Sequence, residues 1–513
     1  MPEGGALMFD FGIIPPAMFI GMVLFMLFGF PVTFSLGAVG MFFGLIGIAT
    51  GHFSEAFLQA LPLRFFGIVS NDLLLAIPFF TMMGAILERC GLAEDLLEGT
   101  GKLFGAVPGG IAYAVIFVGA ILGAITGTVA ASVITMGMIS LPVMLRYGYS
   151  QRIATGVIAA SGTMAQLIPP SLVLVILSDQ LGKSVGDMYM GAIGPAGMQI
   201  GIFMLFILGV SIFRPGLVPP LPKEVRGDLD ARLIRKVLAG MLPSIVLIFL
   251  VLGTIFLGLA TPTEAGALGV VGALILAAAH RRLTWVLVRQ AMESTMTITS
   301  MVVMILIGST CFSLVFQGMD GARWIEHMLS GLPGGQVGFL LFVNLFIFVL
   351  AFFLDFFEIA FIVIPMLAPV AQHLGIDLIW FGVLICVNMQ TSFMHPPFGF
   401  ALFYLRSVAP PEVKTRQIYL GSIPWICMQL IIVAVVIFWP QSVTMWVEKA
   451  KDIDLDKVKI EVPGFGGGGG MTLSPPGGLG APGLNFGTPP GLGGATPPAA
   501  KPAMDLSQPP SFK

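Results

Sequence analysis

The pattern of apolar and polar positions is that of a chain built from long apolar helices. Near-continuous apolar runs lie at residues 14–31, 32–50, 66–88, 151–177, 188–213, 236–258, 262–280, 293–316, 376–405 and 417–440. About 20 apolar residues are enough for a helix to cross the hydrocarbon core of a bilayer. The pattern therefore predicts an all-α polytopic membrane protein with these ten runs as crossings.

Two further apolar stretches are long but interrupted. Residues 111–146 are interrupted by small and hydroxyl side chains at 123–128, and residues 336–372 are interrupted at 355–358. We predict that each stretch is a re-entrant helical hairpin, which enters and leaves the membrane on one side. Two ordinary spans in each stretch are the alternative.

Two of the crossings contain a polar segment that ends in a Pro-Pro pair. Residues 161–170 read Ser-Gly-Thr-Met-Ala-Gln-Leu-Ile-Pro-Pro, and residues 388–397 read Asn-Met-Gln-Thr-Ser-Phe-Met-His-Pro-Pro. Proline removes a backbone N–H and clashes with the preceding turn, so a helix breaks there. A broken helix at membrane depth is tolerated only where protein or a water-filled cavity covers it. A pair of such breaks in corresponding halves points to the binding site of a transporter.

The two halves of the chain align without a gap at an offset of 227 residues. This offset carries Gly148 onto Gly375 and the Pro-Pro pair at Pro169 onto the pair at Pro396. Coincidence is the alternative, since glycine and proline are frequent here, but the shared spacing favours a duplication. With five crossings and one hairpin each, the halves have an odd number of crossings, and the second half is therefore inverted relative to the first.

The repeat divides the chain into four parts. Residues 1–213 form the first inverted repeat with the hairpin 111–146, and residues 236–440 form the second with the hairpin 336–372. Residues 214–235 form a cytoplasmic linker between them. Residues 441–513 form a tail that is polar and then rich in glycine and proline, and such a composition predicts disorder.

The orientation follows from lysine and arginine, which concentrate in short cytoplasmic loops. Basic residues cluster at 214–236, at 281–289 and at 406–416, and all three clusters fall on one side of the predicted crossings. That side is therefore predicted to be cytoplasmic, and both termini lie outside.

Composition agrees with a membrane protein and excludes several other classes. Of 513 residues only 10% are charged, compared with about 25% in soluble proteins, and the net charge is −2. The net charge gives no indication of nucleic-acid binding. The four cysteines lack metal-ligand spacing, and neither HExxH nor GxSxG is present. The sequence predicts neither an enzyme nor a bound cofactor.

The candidate ion ligands are polar groups at the hairpin tips and at the breaks. Hydroxyl, carbonyl and carboxylate oxygens are ligands that a hard cation such as sodium accepts, and carbonyl ends of half-helices can coordinate it. Protons acting through Asp355 are an alternative to sodium, and Asp355 could also simply cap its own helix. The candidate ligands are Thr126, Gly127, Thr128, Ser161, Gly162, Thr163, Asp355, Gln390, Thr391 and Ser392.

The candidate substrate contacts lie at the Pro-Pro pairs, because N-terminal ends of half-helices favour an anion. They are Pro169, Pro170, His395 and Pro396. His395 could titrate near neutral pH or contact an anionic substrate. The alternative is a histidine whose hydrogen bonds are satisfied beside the break.

Four motifs resemble the DctM family, the large membrane subunits of tripartite ATP-independent periplasmic (TRAP) transporters. They are Ala-Ile-Pro-Phe-Phe at 76–80, the segment 123–131 with its Gly-Thr-Val-Ala-Ala, Gln-Leu-Ile-Pro-Pro-Ser at 166–171 and Met-His-Pro-Pro-Phe-Gly at 394–399. The resemblance covers about residues 10–440. It implies an elevator-type transporter of the bacterial inner membrane. It further implies a small four-helix membrane subunit and a periplasmic substrate-binding protein as partners.

The resemblance also implies import of an organic acid, a carboxylate, driven by a sodium gradient with sodium as the coupling ion. One alternative is a self-sufficient ion-coupled anion carrier of a related superfamily, which needs no binding protein. Another is a non-transporting membrane scaffold. A scaffold has no need for two inverted, helix-breaking polar sites, so the repeat favours a transporter.

Overall fold

The computed structural model describes residues 13–226, 231–352 and 354–447, and the described residues form helices and connecting loops without strands. The helices are α1 (Ile14–Leu27), α2 (Val32–Thr50), α3 (Glu55–Leu58), α4 (Leu61–Val69), α5 (Ala76–Arg89), α6 (Leu92–Phe104), α7 (Gly110–Thr126), α8 (Val129–Arg146), α9 (Gln151–Thr163), α10 (Leu172–Leu181), α11 (Val185–Phe213), α12 (Lys223–Arg226), α13 (Ala231–Phe256), α14 (Pro262–Ala279), α15 (Trp285–Gly318), α16 (Gly321–Ser330), α17 (Gly335–Leu350), α18 (Phe356–His373), α19 (Leu378–Met394), α20 (Phe400–Val408), α21 (Thr415–Phe438) and α22 (Gln441–Thr444). The all-α fold predicted from the apolar runs is confirmed.

The helices have the length and composition of a polytopic membrane protein. Seven of those in the described residues are long and apolar enough to cross a membrane, or up to nine if each of two bent helix pairs counts as one span. The two crossings with Pro-Pro pairs are not among the seven, because each is divided into two shorter helices. The ten crossings and the inverted repeat stay a prediction, since length and composition alone do not fix which helices cross.

Two bends separate neighbouring helices, and the first of them lies within a predicted span. The run 66–88 is not one straight helix, because the helices on either side of Ser70 and Asn71 are inclined at 46°. The side chain of Asn71 accepts a hydrogen bond from the Leu73 N–H at 3.0 Å, which caps the new start of the helix. The second bend, of 118°, separates α16 from α17.

The two helices that precede the Pro-Pro pairs are buried in the core over most of their length. All 17 residues of α19 are buried, and α9 is buried from Ala154 to its end. A helix without a solvent-facing polar stripe belongs in the interior. Helix α9 packs on α7, α8 and α21, and α19 packs on α10, α11, α17 and α21.

The two predicted hairpins differ in how their arms pack. In the first hairpin segment (α7 and α8) the arms pack on each other and on α9. In the second hairpin segment (α17 and α18) the first arm packs on α19 and the second on α10 and α16. Helix α18 also contains a π-helical turn at Ile359–Val363, so its regular hydrogen bonding is interrupted close to its start.

The predicted linker lies against the base of the first hairpin segment. The N–H groups of Gly109 and Ser150, which flank the two arms, donate to the carbonyls of Val218 and Leu217 at 2.8 and 2.9 Å. Helix α13 begins at Ala231, within the predicted linker, and residues 227–230 lie outside the described residues. The domain boundaries stay a prediction.

The predicted tail begins later than residue 441. Residues 441–447 are described, with helix α22 and with Ser442 and Val443 buried against α11. These residues pack tightly on α11, because the backbone of Gly194 comes so close to the Ser442 carbonyl that no side chain fits between them. The Gly/Pro-rich remainder of the predicted disordered tail, 448–513, lies outside the described residues.

Candidate functional site

The first tip consists of Gly127 and Thr128, the two residues between α7 and α8. Gly127 has φ +60°, a left-handed conformation that glycine adopts without strain, and it ends α7. The preceding Thr126 hydroxyl pairs with the Ser132 hydroxyl at 2.8 Å. The chain thus reverses in two residues, which is shorter than the predicted interruption at 123–128.

The first broken helix (α9 and α10) lies directly against the first hairpin segment. A Cβ atom on Gly162 would lie only 2.2 Å from a methyl group of Val133 on α8. A Cβ atom on Gly123 would lie 2.9 Å from the Cα of Ala165. Glycine is therefore required at both crossings, because the backbones approach too closely for a side chain.

The break itself follows a short 3-10 turn at Met164–Gln166, and the Pro169–Pro170 bond is cis. Ser171 begins α10: its hydroxyl accepts hydrogen bonds from the N–H groups of Val173 and Leu174 at 3.2 and 3.5 Å. The same hydroxyl donates to the Gln166 carbonyl, so it ties the two sides of the break together.

The second tip consists of Leu354 and Asp355, which lead into α18. The Asp355 carboxylate accepts a hydrogen bond from the Phe356 N–H at 2.7 Å, and the Glu358 carboxylate accepts one from the Asp355 N–H at 2.9 Å. This reciprocal arrangement is a capping box. Asp355 therefore caps its own helix, which was the alternative to an ion ligand; its predicted role toward sodium stays a prediction.

The second broken helix (α19 and α20) breaks at its Pro-Pro pair, as predicted, and the polar segment before the pair is helical. Helix α19 runs to Met394, and only 395–399 are non-helical, with the Pro396–Pro397 bond in cis. The polar side chains find partners in neighbouring helices: Asn388 donates to the Asn344 carbonyl at 2.8 Å, and Gln199 donates to Gln390 at 2.6 Å. These contacts let a polar segment remain a buried helix.

The two broken helices contact each other. The Cys386 thiol lies 3.2 Å from the Gln166 carbonyl, and the Thr163 hydroxyl lies 3.7 Å from the sulfur of Met394. The two predicted sites thus belong to one continuous buried region.

A cavity of about 220 Å³ lies where the two tips meet. Both tips contribute to its wall, together with the break of the first broken helix, the end of α19, the side of α20 and the middle of α15. The lining residues are Gly127, Thr128, Val129, Ala130, Gln166, Leu172, Val173, Ile298, Met301, Asp355, Phe356, Phe357, Phe393 and Tyr404.

The cavity brings together only part of the predicted ion site. Gly127, Thr128 and Asp355 line it. The others are buried behind its wall and do not line it: Thr126, Ser161, Gly162, Thr163, Gln390, Thr391 and Ser392. Their role as ion ligands stays a prediction.

The predicted substrate residues also lie off the cavity wall, and these are Pro169, Pro170, His395 and Pro396. The ring of His395 stacks on Phe352, with 3.6 Å between the ring centroids. Sequence reasoning did not select Gln166, Phe393 or Tyr404 as site residues. Gln166 lies within the polar segment before a Pro-Pro pair, and its amide could have been selected for that reason. No sequence pattern around Tyr404 indicated a site residue.

Several buried oxygens near the breaks have no hydrogen-bond partner among the described residues. They include the hydroxyls of Ser161 and Ser392 and the side-chain oxygen of Gln166. Buried polar atoms are ordinarily paired, so unpaired oxygens at a break are available to a ligand.

The sequence model of the family described as "Tripartite ATP-independent periplasmic transporter, DctM component" matches residues 19–442. The chain belongs to this family. It is the large permease subunit of a TRAP transporter and a multi-pass membrane protein, and in bacteria the membrane concerned is the inner membrane.

Relatives of this DctM-family chain carry permease names. The C4-dicarboxylate TRAP transporter large permease protein DctM of Pseudomonas aeruginosa is 28% identical over 391 residues, 76% of this chain and 89% of that protein. The sialic acid TRAP transporter large permease protein SiaM of Vibrio cholerae is 26% identical over 414 residues, 80% of this chain and 93% of that protein.

A solved structure shares the fold of the DctM-family chain. The YdaH transporter of Alcanivorax borkumensis superimposes with a TM-score of 0.52 at 16% identity, covering 75% of this chain and 88% of that one. This similarity supports a membrane-transporter fold.

Proposed function

We propose that this permease imports an organic acid, a carboxylate, with a sodium gradient, and receives it from a periplasmic binding protein while working with a small membrane subunit. The relatives' names support the substrate class, since C4-dicarboxylates, sialic acid and 2,3-diketo-L-gulonate are all organic acids. The family description, a tripartite periplasmic transporter, supports the two partners.

The observation that carries the proposal is the cavity between the two tips. One wall comes from Gly127 and Thr128 in the first half of the chain, and another comes from Asp355 to Phe357 in the second half. A small-molecule site at the meeting of two half-chain elements is where a transporter of this kind holds its substrate. If the tips and the broken helices move together as a rigid body, the cavity becomes exposed to one side of the membrane or the other.

Sodium coupling is supported by the chemistry of the groups behind the wall. The first candidate site combines Thr126 to Thr128 with Ser161 to Thr163, and the second combines Asp355 with Gln390 to Ser392. The unpartnered hydroxyls of Ser161 and Ser392 are neutral oxygen donors at the ends of helices, where backbone carbonyls also lack partners. Such a donor set suits a monovalent hard cation.

Uptake into proteoliposomes tests the proposal. The full chain is reconstituted with its small membrane subunit, and candidate binding proteins loaded with labelled organic acids are added outside. We expect uptake that needs both the binding protein and an inward sodium gradient, and that stops when potassium replaces sodium. Uptake that continues without any binding protein would instead support a self-sufficient carrier. Failure of every loaded acid to enter under either gradient would contradict transport of organic acids.

A further inference from the structure

A second cavity, the outer cavity, has a volume of about 420 Å³ and shares no lining residue with the cavity between the tips. It is lined by α4 and the turn after it, the end of α10, the second half of α15 and the middle of α18. Eight of its 14 described lining residues are polar or charged, whereas the wall between the tips is mainly apolar. Sites for small molecules have volumes of ~300–1,000 Å³, so the outer cavity is large enough for one.

The outer cavity follows the cavity between the tips along the same helices. On α10 the cavity between the tips is lined by Val173 and the outer cavity by Asp179, and on α15 the corresponding residues are Met301 and Ser309. At 1.5 Å per residue these steps advance ~9 Å along α10 and ~12 Å along α15. Both steps lead toward the side that the basic clusters predict to be outside. The two cavities therefore lie in succession from the outer side toward the tips.

Helix α15 carries a polar stripe along the outer cavity. Leu306, Ser309, Thr310, Ser313 and Gln317 recur at helical spacing and all line it. The Ser309 hydroxyl donates to the Leu306 carbonyl at 3.0 Å, whereas the other three polar side chains form no hydrogen bond with a described residue. Polar side chains within a membrane-length helix mark the path of a polar substrate. These three side chains are therefore available to a ligand.

The outer cavity also offers one unpaired positive charge. Arg64 is the only basic side chain among its described lining residues, and it forms no ion pair or hydrogen bond with another described residue. The one acid in the wall, Asp179, instead accepts hydrogen bonds from the side-chain amides of Asn71 at 2.8 Å and Gln180 at 2.9 Å. A guanidinium group binds a carboxylate through two parallel hydrogen bonds. Arg64 is therefore suited to one carboxylate of a ligand.

The remainder of the wall selects what that carboxylate is attached to. Hydroxyl and amide side chains both donate and accept hydrogen bonds, so they pair well with the hydroxyl groups of a ligand. A second carboxylate would share the cavity with the negative charge of Asp179, and like charges brought together in a site are unfavourable. An apolar body would leave the polar stripe without partners.

We propose that the outer cavity is an entry site, which binds a hydroxylated monocarboxylate from the outside before it reaches the cavity between the tips. The carboxylate binds Arg64, and the hydroxyl groups bind the polar stripe of α15. This inference rests on the proposed function, in which an organic acid enters from the outside, and it adds a second binding site and a ligand class to it.

Protection of an introduced cysteine tests the site without any binding protein. In a chain without its four native cysteines, Ser313→Cys places a thiol in the outer cavity, and Met328→Cys on α16 is the control outside it. Right-side-out vesicles that contain the chain and its small membrane subunit are treated with an impermeant thiol reagent in the presence of gluconate, succinate or hexanoate.

We expect gluconate to slow the labelling of Ser313→Cys to a saturating extent and to leave the labelling of Met328→Cys unchanged. Half-maximal protection should need at least about tenfold less gluconate than succinate or hexanoate. Equal protection by succinate or hexanoate overturns the ligand class. Absence of protection by gluconate overturns the site, and so does a Ser313→Cys thiol that the reagent does not reach from outside.

Substitution of Arg64 tests where the carboxylate binds. Added to Ser313→Cys, Arg64→Gln is expected to raise the gluconate concentration for half-maximal protection about tenfold, since a hydrogen bond to a charged group is lost. Arg64→Lys keeps the charge without the planar fork and should lie between the two. Arg323→Gln is the matched control, because it removes a positive charge from α16, outside the cavity, and should change nothing. Undiminished protection in Arg64→Gln would show that gluconate acts from another place and would overturn the inference.

Failure of the entry site and failure of the proposed function give different results. Sodium-driven uptake of an organic acid, with no protection of Ser313→Cys by gluconate, would leave the proposed function intact and remove the entry site. Absence of sodium-driven uptake for every organic acid would contradict the proposed function itself.

Discussion

Adding one methyl group at Gly162 tests whether the contact between α9 and the first hairpin segment sets the first ion site. In Gly162→Ala the new Cβ would lie 2.2 Å from a methyl group of Val133 and 3.1 Å from its backbone nitrogen. Non-bonded carbon atoms prefer about 3.5–4.0 Å, so the methyl group must move by more than about 1 Å. The valine side chain has one preferred rotamer in a helix, and α9 must therefore move away from α8.

Overpacking of this size costs about 1–3 kcal/mol. If about 1 kcal/mol of this cost destabilises the ion-bound state, the sodium concentration for half-maximal uptake rises about fivefold, because 1.4 kcal/mol corresponds to a factor of ten. The measurement is uptake into proteoliposomes as a function of sodium concentration. The amount of monodisperse protein recovered from the membrane establishes that the variant is folded.

Two further variants make the Gly162 experiment specific. Val133→Ala removes the obstructing methyl groups, so the double variant with Gly162→Ala is expected to recover most of the sodium response. Gly201→Ala on α11 adds a methyl group where no atom lies within 4 Å and is expected to leave the response unchanged. A folded Gly162→Ala protein with the sodium response of the unaltered chain would refute the reasoning.

Three other experiments test further parts of the structure. Asp355→Asn keeps the helix cap, because asparagine caps as well as aspartate, and replaces the carboxyl group by a neutral amide. We expect weaker sodium dependence of uptake with an unchanged melting temperature. An unchanged sodium response would show that the Asp355 carboxylate is not part of the ion site. Gln390→Leu leaves the amide of Gln199 buried and unpaired, which is expected to lower the free energy of unfolding by about 1–3 kcal/mol. When both glutamines are replaced by leucine, we expect the melting temperature to recover in part. A loss of stability equal to the sum of the two single variants would contradict the pairing. In a chain without its four native cysteines, we expect an impermeant thiol reagent added outside intact cells to label a cysteine at Met328 but not at Lys223; the reverse would overturn the predicted orientation.

The local constraints of glycine and proline made the breaks predictable from the sequence. The Pro-Pro pair at Pro169 ends the first broken helix whatever packs around it, because the ring and the missing N–H act within one turn. The first tip was likewise predictable, since Gly127 adopts a left-handed conformation in the turn. The polar side chains before Pro396 remain in a buried helix for a tertiary reason, because Asn344 and Gln199 supply hydrogen-bond partners from other helices.

By itself, the sequence determined the helical membrane fold, the two breaks and the two interruptions, because hydropathy and backbone chemistry act over one helix length. The tertiary structure decided which of these residues share a cavity. Phe393 and Tyr404 join Gln166 in one wall although more than 200 residues of chain separate them from it, and no local pattern encodes such a meeting. The tertiary structure also decided that Asp355 caps α18 whereas Thr128 makes no cap hydrogen bond at the start of α8, since capping depends on the geometry of individual side chains.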